Sequence, residues 1–318
     1  MSLVSSAAFA DPPALSLERT IPLGDVKGRI DHLAVDLEHQ RLFIAELGND
    51  TVGVIDLRSH LVRQRLVDLD EPQGLGYLAA TQTLYVTNGG DGSVRTFTGD
   101  NLKPSSTLKL GGDADNIRVD PKTSTLFVGY GAGAIAVIDA GTLRKIREVP
   151  LDGHPESFQM ASTSNRIYVN VPDARQIVIA DRSSGHVVGK VAAQGARANF
   201  PMALDEDARR LLTVFRDPPL LRTLTLDGMP LAEVKVCRDA DDVFVDHKRR
   251  RAYVICGEGV VDVLDGNGLP IQRIPTAAGA RTGLFVPELD RLFVAVPART
   301  GTDAEIRVFE PPPGPSLQ

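Results

Sequence analysis

The sequence predicts an all-β fold, a seven-bladed β-propeller with four-stranded blades, on three observations. One strand pattern recurs seven times at near-constant spacing, each repeat holds four strands, and no stretch sustains a 3.6-residue apolar period. The recurring second strand reads RLFIAE, TLYVTN, TLFVGY, RIYVNV, RLLTVF, RAYVIC and RLFVAV, starting at Arg41, Thr83, Thr125, Arg166, Arg210, Arg251 and Arg291. The gaps between those starts are 42, 42, 41, 44, 41 and 40 residues. Four-stranded units of about 40 residues arranged radially make a propeller.

Unit one sets the template. His32–Asp36 (HLAVD) is the first strand, Arg41–Ala45 the second, Thr51–Leu57 the third and Leu61–Leu69 the fourth. Val, Ile, Leu, Phe and Tyr fill these runs, while Gly, Asn, Asp and Pro cluster between them. Unit seven supplies GLFVP, RLFVAVP and AEIRVFE, then runs into PPPGPSLQ, which cannot be a strand interior. It is one strand short. LSLERTI, Leu15–Ile21, is a strand-like piece left over before unit one. Placed as the outer strand of blade seven, it closes the ring and removes an open sheet edge. The expected organisation is a signal-peptide remnant at 1–10, one propeller domain at 11–310 and a Pro-rich tail at 311–318.

Composition narrows the function classes. The 318 residues carry 35 basic and 41 acidic side chains, a formal charge of -6, with no basic stripe. Nucleic acid, bound through many phosphates, is therefore excluded as the expected partner. No apolar run reaches the roughly 18 residues of a membrane span. SSAAFADPP ends in Ala8-Phe9-Ala10, the small-residue pattern of a signal-peptide cleavage site, so a periplasmic or secreted location is expected. Cys237 and Cys256 show no metal-ligand spacing; buried free thiols are the expectation and a single bridge is the alternative. With no tryptophan, a sugar-stacking site is disfavoured.

LYVTN, Leu84–Asn88, is the signature string of the bacterial YVTN (YncE-like) seven-bladed propellers. DADNIRVDP, GHPESFQ, NFPMALDE, DADDVFVD and GARTGLFVPELDRLFVAVP resemble a subgroup of exported members, so the likeness covers nearly the whole chain. It implies the fold and export. It implies no activity, because this fold hosts many.

GHPESF leads into the first strand of blade four, and the first strands of a propeller line its central channel. Ten residues before each of the first six second-strand starts stand Asp31, Gln73, Asp115, Glu156, Phe200 and Asp241. Blade seven reads as one residue shorter, placing Thr282 or Arg281 there. The next position adds His32, Asn116 and Asp242, and two positions earlier lie Arg29 and His154. With Arg197, Asn199 and Arg281, these residues make the candidate ligand site, a carboxylate-rich bowl at the channel mouth. Asp and Asn before a strand also cap turns through their own backbone, which is the structural alternative for the same residues.

Oxygen-rich sites suit hard divalent cations, and added imidazoles suit zinc or copper. The candidate metal ligands are Asp31, His32, His154 and Glu156, brought together across blades since no local H-x-x-H spacing exists. The leading functional expectation is an exported, monomeric binding or scaffold propeller. Its mouth would take a small molecule, a metal or an envelope protein. The alternative is a metal-dependent hydrolase, of the kind lactonase-like propellers represent, or a lyase. In that alternative Glu156 or Asp242 is the base and Asn116 or Asn199 orients a carbonyl. TNGGDGS and GYGAGA lie between strands and are hairpin turns, not phosphate loops. No G-x-S-x-G nucleophile motif occurs, and HKRRR, His247–Arg251, reads as a solvated turn.

Overall fold

The computed structural model describes residues 13–314; the expected signal-peptide remnant lies outside them, as do the last four residues of the Pro-rich tail. Seven four-stranded antiparallel sheets form, and in six of them the strands follow chain order. The inner strands are Leu33–Asp36, Pro72–Leu78, Ala114–Asp120, Phe158–Met160, Arg197–Asp205, Ala240–Asp246 and Gly283–Val286. Blade seven is completed by the N-terminal strand Ser16–Gly24, which pairs antiparallel with Ala304–Glu310. Ile21 and Leu23 of that strand are buried against Phe293, Ile306 and Val308, so the closure is apolar as well as hydrogen-bonded.

The second strands are buried almost throughout, which explains why their run of apolar residues was the clearest repeat. Their side chains pack between neighbouring blades. Phe43 and Val54 of blade one meet Leu84, Val86 and Phe97 of blade two in one such layer. Each interface buries two apolar sheet faces, so the core is a wheel of wedges around a channel.

On one face of the ring, the inner strand turns into the second strand through a four-residue hairpin. The residue before the second strand takes a left-handed conformation in six blades, as at Gln40, Gln82, Ser124, Arg209, Arg250 and Asp290. Aspartates ending four inner strands anchor these turns. Asp36 accepts from the His39 backbone N–H and from Arg41, and Asp205 accepts from Ala208 N–H and Arg210. HKRRR is not simply solvated. Arg249 is buried and pairs with Asp246 at 2.9 Å and Asp290 at 2.6 Å, tying blade six to blade seven, while Lys248 reaches Asp290.

The two cysteines correct the expectation of free thiols: Cys237 and Cys256 form a disulfide. Cys256 ends the second strand of blade six, and Cys237 lies in the segment leading into its inner strand. Antiparallel pairing brings their Cα atoms to 5.9 Å, within bridging range, although 19 residues separate them in sequence.

Candidate functional site

The segments leading into the inner strands sit together on the face opposite the hairpins. Strand register fixes which residues are equivalent. Gly283 pairs with Val294 as Leu33 pairs with Ile44, so the hairpins of blades one and seven have one length. Arg281, not Thr282, therefore stands in the place of Asp31. Thr282 is buried, with its hydroxyl donating to the Ile30 carbonyl. The ring reads Asp31, Gln73, Asp115, Glu156, Phe200, Asp241 and Arg281.

Cations thread this ring. Arg29 pairs with Asp31 at 2.8 Å and also lies in the field of Asp241, Asp115 and Glu156. Asp241 is held by Arg216 at 2.5 Å and by Arg281 at 2.9 Å. Arg216 also lies 3.9 Å over the ring of Phe200. His154 donates from Nδ1 to the Gly131 carbonyl at 2.6 Å, which turns Nε2 toward Asp113 and Asp115, each 3.9 Å away. Asp115 is 7% exposed, and its Oδ1 has no hydrogen-bond partner among the described residues.

Burial and crowding decide the protonation of the bowl. Burial, then Asp115, pushes Glu156 up to about 8, against the pull of His154. Burial drives Asp31 well above the usual carboxylate range despite Arg29. Asp242 is pushed up to about 7, again by burial first, while His32 opposes the rise. Asp115 and the Gly131 carbonyl raise His154 to about 9. For all three carboxyls burial is thus the leading cause, ahead of the cations that face them.

Of the four metal candidates read from the sequence, His154 and Glu156 come together, and their third neighbour is Asp115. One ligand atom from each of these three lies within 4.8 Å of the others. Asp31 and His32 belong to no such group of three among the described residues; His32 lies between Asp31 at 3.8 Å and Asp242 at 3.9 Å. Asp242 accepts the Gly283 backbone N–H, and Asn116 accepts from Arg118. Arg197 is out on the rim, paired with Asp217. Asn199 is fully buried, its amide donating to Asn170 Oδ1 and the Gln176 carbonyl, so it meets no ligand in the bowl.

Sequence reasoning missed Arg216, Arg118 and Gln159. Arg216 carried a signal: six residues after each second-strand start stand Leu47, Gly89, Gly131, Pro172, Arg216, Gly257 and Pro297, where a charged residue is the exception. Arg118 and Gln159 carried another. Seven residues before each start stand Ala34, Gly76, Arg118, Gln159, Ala203, Phe244 and Leu284, an apolar column broken twice.

Comparison with known proteins supports this architecture. The uncharacterized protein YncE of Salmonella typhi is 24% identical over 177 residues, 50% of this chain and 50% of the relative. YncE of Escherichia coli O157:H7 is 25% identical over 171 residues, 48% of each. The chain is a seven-bladed propeller similar to YncE. The match spans about half the length of these YncE relatives. No protein-family model matches the chain. A chain of Kuenenia stuttgartiensis hydrazine synthase superposes with a TM-score of 0.78 at 16% identity, covering 93% of this chain and 99% of that one. A chain of a mitotic checkpoint complex does so with a TM-score of 0.78 at 13% identity, covering 98% of each. At those identities the likeness is one of fold. Together, the fold and the YncE likeness support a general binding or scaffolding role.

Proposed function

We propose that this YncE-like chain is an exported binding propeller that takes up a divalent cation at its channel mouth through Asp115, His154 and Glu156. The observation that carries the reading is the buried, unpartnered Asp115 Oδ1 beside an imidazole already fixed by its other nitrogen. An N–H donated to a backbone carbonyl is the usual outer partner of a metal-ligating histidine, since it orients the ring and leaves Nε2 as the donor. One imidazole and two carboxylates suit zinc and leave coordination positions open. Ligands around a tetrahedral zinc ion lie about 3.3 Å apart. Uptake therefore draws these side chains inward from their 4.8 Å span. Export is supported by the Cys237–Cys256 disulfide, a bond that persists in oxidising compartments. In the hydrolase or lyase alternative, Asn199 is sealed in the interior, which leaves Asn116 as the carbonyl-orienting group.

The test is calorimetric titration of chelator-stripped protein with zinc, repeated on Asp115→Asn and Glu156→Gln. The expected result is one equivalent bound by the parent and marked weakening in both variants. No binding by the parent would overturn the reading, and so would equal binding in all three proteins.

A further inference from the structure

Continuous with the bowl, and lined in part by its His32, Asn116 and Asp242, the channel holds a chamber of about 370 Å³, the size of a small-molecule site. Its walls come from the inner strands of six blades and mix apolar with polar groups, Tyr77 and Phe244 being the bulkiest apolar members. Two charged groups interrupt that wall from well-separated blades: Arg118 of blade three and Asp242 of blade six. This chamber is distinct from the metal cluster, none of whose three residues lines it.

Arg118 is a half-buried cation with no carboxylate partner among the described residues, its guanidinium lying 5.2 Å over the ring of Phe158. Its Nη1 donates to the Ile117 carbonyl at 2.8 Å and to Asn116 Oδ1 at 3.3 Å, both neutral acceptors. It forms no ion pair among the described residues, and burial lowers its pKa. Asp242 exerts the strongest charge effect on it, yet the two are not in contact. Among the described residues Asp242 in turn has only the Gly283 N–H as a hydrogen-bond donor, with His32 at 3.9 Å. A half-buried guanidinium and a half-buried carboxylate, each facing the chamber without an opposite charge in contact, are incompletely solvated, and a ligand carrying both opposite charges serves both at once.

We propose that this chamber binds a small zwitterion, its anionic group on Arg118, its cationic group on Asp242, and its apolar body against Tyr77 and Phe244. The guanidinium fork matches a carboxylate, and the carboxylate of Asp242 matches an ammonium group. Gln159, which also lines the chamber, adds an amide for hydrogen bonding near Arg118. An apolar ligand would leave both charges unmet, and a singly charged one would leave one unmet.

Calorimetric titration with phenylalanine and with 6-aminohexanoate brackets two spacings between the charges. Phenethylamine, 3-phenylpropanoate, hexylamine and hexanoate serve as singly charged counterparts. The expected result is that at least one zwitterion binds about tenfold or more tightly than both of its counterparts. Arg118→Met should remove the preference over the amine, and Asp242→Asn the preference over the carboxylate. Ala34→Leu, which fills the chamber without touching either charge, should abolish binding in a protein whose unfolding remains cooperative. Chelator should leave all of this unchanged, since the metal site is separate. Absence of binding by both zwitterions at millimolar concentration would overturn the proposal. Equal binding of charged counterparts, or indifference to Arg118→Met, would overturn it too.

Discussion

At the hairpin face, Asp36, Asp205 and Asp246 end their inner strands, and each receives a backbone N–H from its own turn and a nearby arginine. At the mouth, Asp31, Asp115, Glu156 and Asp241 begin theirs and share Arg29, Arg216, Arg281 and His154 across blades. Residue types are the same on both faces, but the titration runs in opposite directions. Hydrogen bonds to Arg249 hold Asp290 down at about 2 on the hairpin face. Burial carries Asp242 to about 7 and Glu156 to about 8 at the other end. An acid matched by local donors serves the fold, whereas acids whose burial outweighs the pull of their cations destabilise it and are kept for something that binds.

The largest effect is expected where one strand supports both faces. Deleting residues 13–24 removes the strand that closes blade seven, so the cooperative unfolding transition by calorimetry should disappear. A blade that merely frayed, leaving the main transition intact, would show that the ring does not depend on closure.

Next comes the hairpin face. Arg249→Ala leaves Asp246 and part of Asp290 without their buried cation and should cost about 3 kcal/mol in chemical denaturation. A loss typical of exposed pairs, under about 1 kcal/mol, would place this arginine with the solvated surface after all.

At the mouth the sign reverses. The folded protein keeps a proton on Asp242 up to about 7, whereas the unfolded chain releases it near 3.8. The stability from that proton is present below about 4 and is lost as pH rises toward 7. Asp242→Asn should flatten this slope and stabilise the metal-free protein above pH 7, by on the order of 2–4 kcal/mol. An unchanged melting profile against pH would mean that the carboxylate is solvated. The variant can still accept the Gly283 N–H, so its effect reads the charge.

The fold was legible because its signal is periodic. Seven apolar second strands and one orphan strand at Leu15–Ile21 left one way to close the ring, and pairing of Ser16–Gly24 with Ala304–Glu310 realises it. The mouth was legible only as a column of equivalent positions. Equivalence placed Asp31, Asp115, Glu156 and Asp241 on one level, but distances between blades are not encoded in spacing. For that reason Asp31 and His32 stood among the metal candidates although they join no ligand group among the described residues, and Asn199, one residue before the ring position, turned out to be interior. Arg249 was hidden for a similar reason. A run of four basic residues looks solvated until the register shows one of them crossing to Asp290 on the next blade.

The contrast between the faces is tested most directly by a carboxyl-carbon NMR titration of the metal-free protein, with Asp242, Glu156 and Asp290 assigned by single substitution. The account predicts midpoints near 7 for Asp242, near 8 for Glu156 and near 2 for Asp290. All three titrating together near 4, the ordinary range for exposed carboxylates, would contradict it.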